Sequence, residues 1–308
     1  MTQARLAVVV LTWNGRDDTI ACLESLRSQI GPRDAVFVVD NGSSDGTLEA
    51  VRSQHAWAIV IENGSNVGFA AGNNAGMRRA LGDGYGLVFV LNNDTVVPPG
   101  AIEALVAYSD AHPEAGAVQP VLVRHDDPSR LDTLGLEPLR TFGARDVGMG
   151  EPVGSAPTAP REIFGASGAA ALIRADALRA AGLFDEDLFV MAEDADLAFR
   201  LRIAAFAVHL VPSVRVLHRR GISGRPQDPR AARLRKLWLQ RNAVALALRY
   251  WPARWLLVFA PLLGYRAAQA LVLAVPEHRC LALWRSSLAR RAEARRAMAA
   301  RGVDRWFG

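Results

Sequence analysis

The sequence predicts an α/β protein with a mixed, mostly parallel sheet, followed by a helical C-terminal region. Three observations carry this. Apolar runs of strand length alternate with stretches of helical composition, each run ends in a polar cluster, and the charge reverses sign after residue 214. The runs Leu6–Leu11, Val36–Val39, Ala58–Ile61 and Leu87–Leu91 show no polar alternation, which suits strands buried on both faces of a parallel sheet. Between and after them, Asp17–Gln29, Gly46–Gln54, Gly68–Leu81 and Ala101–Ala111 read as helices, completing a β-α repeat. Beyond Pro120 the pattern loosens, and residues 124–162, rich in Pro, Gly, Asp and Arg, read as an insertion or long loop. Regular structure is expected again at Ala169–Ile173, in a helix from Glu193 to about Ala204, in extended segments Phe206–Val211 and Val214–Leu217, and in a helix from about Pro229 to Tyr250. The expected division is an α/β domain over residues 1–228 and a basic, amphipathic helical region over 229–308.

Composition narrows the chemistry. Two cysteines, Cys22 and Cys280, cannot form a four-thiolate zinc site or a disulfide framework. The only lysine, Lys236, lies in no G-x-x-x-x-G-K-[ST] segment, which excludes a P-loop NTPase. No G-x-G-x-x-G occurs, which weakens a dinucleotide-dependent oxidoreductase. Residues 1–214 carry a balance of −11 and residues 215–308 one of +16, so an acidic front suited to a cation precedes a tail suited to an anionic surface. The tail does not interleave aromatics with glycine as nucleic-acid stacking surfaces do, so no nucleic-acid partner is expected. The first apolar run is too short for a signal peptide, and a cytoplasmic location is expected.

The polar clusters are the candidate site, because open α/β sheets bind ligands outside the carboxyl ends of their strands. After the first run comes Thr12-Trp13-Asn14-Gly15, and after the second Asp40-Asn41-Gly42-Ser43-Ser44-Asp45-Gly46-Thr47. A carboxylate there can accept bonds from a ribose or base edge, although the same residues would serve as a turn with a helix cap. Gly68, Gly72 and Gly76 recur every fourth residue after Asn66, clearing one helix face for a ligand or for a packed sheet. Asn92-Asn93-Asp94 ends the fourth run with an acid suited to a hard divalent cation, or with a merely solvated strand end. Glu193, Asp194 and Asp196 open a helix, where the dipole stabilises carboxylates; the apolar stretch before them and Arg200 after them suggest that one acid is positioned as a general base. His218, followed by Arg219 and Arg220 in a basic loop that continues to Arg225, reads either as an ordinary histidine or as a metal ligand whose neighbours clamp phosphates.

Taken in order, VVVLTWNG, VVDNGSSDGT, NVGFAAGNNAG, VFVLNNDT, GASGAAALIR, FDEDLFVMAEDADLAFR and LHRRGISG resemble the inverting family-2 glycosyltransferases of GT-A fold, on their bacterial rhamnosyltransferase-like branch. The resemblance covers about residues 5–250. It implies that Thr12, Asn14, Asp40 and Asn41 hold the nucleoside of a nucleotide-sugar donor, with Asn66, Gly68 and Gly72 lining the same pocket. It implies that Asp94 and His218 bind Mg2+ or Mn2+, and that Asp194 deprotonates the acceptor hydroxyl. Gly165, Ser167 and Gly168 match the region under sugar and acceptor; Asn92, Asn93, Glu193, Arg219 and Arg220 join the substrate-binding set. The usual D-x-D is here Asn92-Asn93-Asp94, so the metal is expected to rest on Asp94 and His218 with phosphates and water. The implied reaction carries a sugar, dTDP-L-rhamnose being the favoured donor and a UDP-hexose the alternative, to a saccharide or lipid-linked acceptor; a catalytically inactive nucleotide-sugar-binding scaffold is the remaining alternative.

Residues 255–275 have the length of a bilayer span, yet Pro261, Arg266 and Gln269 interrupt them. A helix or helical hairpin lying in the membrane interface is the favoured reading. Arg279 to Arg305, with eight arginines, is expected to be a helix with a basic face. Together these segments suit peripheral attachment to the anionic inner face of the plasma membrane.

Overall fold

The structure, a computed structural model, describes residues 6–220, 229–274 and 279–307. Its first strands are β1 (Leu6–Thr12), β2 (Ala35–Asp40), β3 (Ile59–Glu62) and β4 (Leu87–Asn92), alternating with helices α1 (Arg16–Arg27), α2 (Thr47–Gln54) and α3 (Gly68–Gly82). β5 (Thr95–Val96), α4 (Ala101–Ala111) and β6 (Ala115–Arg124) follow. Then come β7 (Leu131–Thr133), β8 (Leu136–Pro138), β9 (Ala144–Asp146), β10 (Arg161–Glu162), β11 (Ala170–Arg174), α5 (Ala175–Ala181), α6 (Glu193–Ile203) and β12 (Ala207–His218). The C-terminal helices are α7 (Pro229–Tyr250), α8 (Ala253–Val258), α9 (Ala260–Leu273) and α10 (Cys280–Ala300).

The main sheet runs in the order β10-β12-β6-β11-β4-β1-β2-β3. The pairs β1–β2, β1–β4, β2–β3 and β6–β12 are parallel, and β11 is inserted antiparallel between β4 and β6. The continuous apolar runs are explained by burial on both faces: Val8, Val10, Val36, Val38, Phe89 and Leu91 belong to one core, and Ala7, Val9, Phe37, Val39, Val88 and Val90 to the other.

Two expectations change. Residues 124–162 are not an unstructured loop: β7 pairs with β6, β8 with β9, and β10 with β12. Strands of two or three residues among Gly and Pro leave too little periodicity to be seen in sequence. The segments expected at 206–211 and 214–217 are one strand, β12, whose register on β6 shifts between Val211 and Arg215. Pro120 and Pro212 lie at that shift, and a proline has no N–H to give the ladder.

In residues 255–274, α8 and α9 meet at Phe259 because Pro261 is tolerated only in the first turn of a helix. Arg266 points inward, its Nη1 donating to Gln240 Oε1 at 2.9 Å. Among the described residues no helix is long and apolar enough to cross a membrane. α10 ends at Ala300 and is followed by a 3₁₀ turn at Val303–Phe307. The C-terminal helices pack on the α/β layers: one core joins Ala195, Ala198 and Phe199 of α6 to Leu246 and Tyr250 of α7, and to Trp251, Met298 and Phe307.

Candidate active site

Sheet register lays out the first wall of the site. β1 pairs in parallel with both β2 and β4, placing Thr12 opposite Asp40 and Leu11 opposite Asn92. Their polar ends therefore lie in one row at the carboxyl edge of the sheet. The ends brace one another: the Asp40 carboxylate accepts the backbone N–H groups of Gly42 (3.0 Å) and Ser43 (3.1 Å), and Asn14 Oδ1 accepts from Ser44 N at 2.7 Å. Asn41 Nδ2 donates to the carbonyl of Gly68 at 3.1 Å, while Asn66 Oδ1 accepts from Gly68 N at 2.9 Å.

Next to that row, β5 pairs with the end of β12, with Thr95 opposite His218. This pairing carries the His218 ring to Asp94, with Nε2 3.2 Å from Asp94 Oδ1 and Nδ1 2.8 Å from Asp132 Oδ2. Asn92 Nδ2 lies 3.3 Å from the same Nε2. Asp132 is also bonded by Arg220, whose Nη2 reaches Asp146 Oδ2 at 2.7 Å. Burial opposes charge on the imidazole, but its bonds to Asp132 and Asp94 prevail and raise its pKa to about 9. Burial likewise opposes ionisation of Asp132, yet His218 and Arg220 hold its pKa below the ordinary value.

The opposite wall is the loop before α6. Asp194 Oδ2 accepts from Gly168 N at 3.3 Å. The next residue, Ala169, accepts from Asn92 N at 2.9 Å through its carbonyl. Two consecutive residues of the turn into β11 thus touch both walls. Burial raises the Asp194 pKa to about 6, a shift that the N–H bonds of Gly168 and Ala195 limit and the charge of Asp146 increases. Glu193, 5% exposed, is pushed up by burial and then by the neighbouring Asp194 charge. Asp196 goes the other way despite its burial: Arg200 Nε (2.7 Å), Arg249 Nη1 (2.7 Å) and Tyr250 Oη (2.7 Å) bond its two oxygens and keep it ionised.

The chain reaches Asp194 by a costly path. Phe189, Met191 and Ala192 all have positive φ, at 65°, 69° and 75°, which side chains with a Cβ rarely adopt. α7 holds this path. The Nδ2 of Asn242, wholly buried, lies 2.9, 2.9 and 2.7 Å from the carbonyls of Leu188, Val190 and Met191. Arg241 Nη2 donates to the carbonyl of Asp187 at 2.6 Å, and Trp238 stacks on Phe189 at 4.9 Å between ring centroids.

Several expected residues have other work. Thr12 is buried, its Oγ1 2.8 Å from Thr19 Oγ1, and Asn93 Nδ2 donates to Thr19 Oγ1 at 2.9 Å, so both brace the β1–α1 turn rather than face a ligand. Gly68, Gly72 and Gly165 are packing positions: a Cβ would lie 2.5 Å from Phe189 Cδ2, 2.5 Å from Leu11 Cδ1 and 2.4 Å from Ala198 Cβ, respectively. Ser167 is held from below, its N–H donating to Gln119 Oε1 at 2.6 Å. Arg200 pairs with Asp196, not Asp194. The Arg220 charge is met by Asp132 and Asp146, and Arg219 Nη1 donates to Asp18 at 2.9 Å, so neither is an open phosphate clamp. Arg225 lies outside the described residues. Asp132, Asp146, Asn242 and Arg249 were missed; a lone acid between Leu131 and Thr133 was the available signal for the first.

A mostly parallel sheet with an inserted antiparallel strand, carrying an acid–histidine pair at the strand ends and a buried carboxylate opposite, defines a glycosyltransferase of GT-A fold. The chain belongs to glycosyl transferase family 2, whose profile matches residues 7–181. It is 30% identical over 238 residues to the N-acetylglucosaminyl-diphospho-decaprenol L-rhamnosyltransferase of Mycobacterium tuberculosis, a match covering 71% of this chain and 77% of the relative. In fold it is similar to the mannosyltransferase PcManGT of Pyrobaculum calidifontis, solved with GDP-Man and Mn2+, with a TM-score of 0.57 and 19% identity over 98% of this chain and 88% of that one. GalNAc-T7, solved with UDP, GalNAc and Mn2+, gives a TM-score of 0.67 and 14% identity over 95% of this chain and 55% of that one.

Proposed function

We propose that this glycosyltransferase moves a sugar from a nucleoside-diphosphate sugar, dTDP-L-rhamnose before a UDP-hexose, to a hydroxyl of a saccharide or lipid-linked acceptor with inversion. One observation carries the reading: Gly168 bonds Asp194 while Ala169 bonds Asn92, which supports one cleft for the raised carboxylate and the Asp94–His218 pair. Asp194, ionised above pH 6, takes the proton of the acceptor hydroxyl. That oxygen bonds to the anomeric carbon from one face as the bond to the diphosphate oxygen breaks on the other. A single carboxylate suffices, unlike the carboxylate pair of most glycoside hydrolases.

Asp94 and His218 fit a divalent ion. The 3.2 Å between their nearest atoms is close to the ~3 Å separating adjacent ligands of a six-coordinate ion bound at ~2.1 Å. Asp132 on Nδ1 supplies the carboxylate–histidine orientation usual behind a metal ligand. Mg2+ or Mn2+ bound there would neutralise charge on the departing diphosphate. Asn14, Asp40 and Asn41 form the nucleoside end of the same row.

The rhamnosyltransferase relative, by its name, uses a polyprenol-linked saccharide, which supports a lipid-linked acceptor here and a membrane-facing surface to meet it. Leu257, Val258, Tyr265, Leu271 and Val272 of α8 and α9 are exposed, at 47–77%, and so are Arg254 of α8 and Arg285 and Arg296 of α10. We assign this face to peripheral binding of an anionic leaflet, each basic group adding ~1 kcal/mol. Flotation with phosphatidylglycerol vesicles should show salt-sensitive binding; none at low salt would remove the assignment.

The donor is tested by thermal shift with dTDP, UDP and GDP, with and without Mn2+, since a ligand selective for the native state raises its stability. dTDP with Mn2+ should give the largest rise and dTDP-rhamnose should release dTDP. A larger rise with UDP replaces the donor, and no rise with any of the three contradicts the function.

A further inference from the structure

The sheet carries a second cluster at the end away from the cleft. His112 caps the C-terminus of α4, Glu114 stands just before β6, and His209 lies near the start of β12. One ligand atom from each falls within 4.8 Å of the other two. His112 Nδ1 is 3.0 Å from Glu114 Oε1, and the imidazoles of His112 and His209 meet edge-on, their centroids 5.8 Å apart and their planes at 68°. His209 and His218 stand opposite Val118 and Arg124 of β6, six residues apart on that strand, or ~20 Å at ~3.3 Å per residue, so the cluster is separate from the catalytic groups.

We propose that His112, Glu114 and His209 form a divalent transition-metal site, with zinc as its natural probe. Two imidazoles and one carboxylate are a zinc ligand set, and three protein ligands leave a position for water. Imidazole favours zinc over the hard ions that suit the oxygen-rich cleft. Tyr108 supplies the supporting layer. Its hydroxyl is 3.0 Å from His209 Nδ1, which fixes that ring and leaves Nε2 for the metal, and its own ring stacks on His112 at 4.2 Å. Bound zinc would tie the end of α4 to the first residues of β6 and β12.

The test uses full-length untagged protein, stripped with chelator and dialysed against low-micromolar Zn2+, with metal content measured directly. Asp94→Asn serves as background, so that zinc in the catalytic cleft does not enter the count. That protein should hold one zinc per chain, and adding His112→Ala or His209→Ala should abolish it. Tyr108→Phe should weaken binding ~10–100-fold, as loss of a supporting hydrogen bond does. His112 is half-exposed, so its variant keeps the test valid if His209→Ala misfolds. No zinc in the Asp94→Asn protein, or one zinc retained in a folded His112→Ala derivative, would overturn the proposal.

Discussion

On the donor side of the cleft, strand register alone brings Asp40, Thr12 and Asn92 into one row. On the acceptor side, the approach to Asp194 passes through three residues of positive φ and is held there by Asn242, more than 50 positions further along. One wall is made by the sheet and the other by the C-terminal helices. α6 shows the division within a single turn: Asp194 is left poorly compensated, whereas Asp196 is bonded by Arg200, Arg249 and Tyr250. In the proposed reaction, proton removal and anchoring sit two residues apart.

If the walls are built so differently, substitutions should separate them. The largest effect is expected from Asp194→Asn, with kcat lower by ~10²–10⁴, the range for loss of a general base, and unfolding stability at pH 7 unchanged or raised. Steady-state kinetics with a denaturant curve checks both. Arg249→Met should instead cost about 3–5 kcal/mol of stability, because it strips a partner from the buried Asp196 carboxylate; a shifted urea midpoint reads it. Asn242→Ala should cost ~1–3 kcal/mol by leaving buried carbonyls without a donor. It should lower kcat while leaving the donor KM nearly unchanged, a split that a merely structural loss would not produce.

The smallest effect at neutral pH is titration of Asp194 itself. With a pKa of about 6, kcat should fall about tenfold per unit below that value, yet lose only ~10% at pH 7. The sign for stability is opposite to that of a salt-bridged acid. The folded pKa lies above the unfolded one, ~3.9, so the native state binds more protons between them and stability falls as pH rises from about 4 to 6. Asp194→Asn should remove that part of the slope, as pH-dependent thermal melts would show.

The donor side was legible because its logic is local. An unbroken apolar strand ending in Asp or Asn delivers that residue to the sheet edge whatever follows, so Asp40, Asn92 and Asp94 could be placed from sequence. Thr12 and Asn93 fall at the sheet edge as their positions after apolar runs require, but their bonds to Thr19 depend on how the α1 turn folds back. The glycines were legible only as a bare helix face: Gly72 meets Leu11 and Gly68 meets Phe189, filling the space a ligand might have used. The pairing of Arg220 with Asp132 and Asp146 was out of reach because both acids lie in the weakly patterned segment 124–162. The same holds for Arg249 and Asn242, whose helix reads as an ordinary basic amphipathic one until it is packed against α6.

On the proposed reaction, nucleotide binding and proton removal belong to opposite walls. Calorimetric titration of dTDP in Mn2+ into the wild type, Asp94→Ala and Asp194→Asn tests it most directly. Affinity should survive within about twofold in Asp194→Asn, on the view that its charge acts only on the acceptor, and should collapse in Asp94→Ala. Equal losses in both variants, or normal affinity in Asp94→Ala, would contradict it.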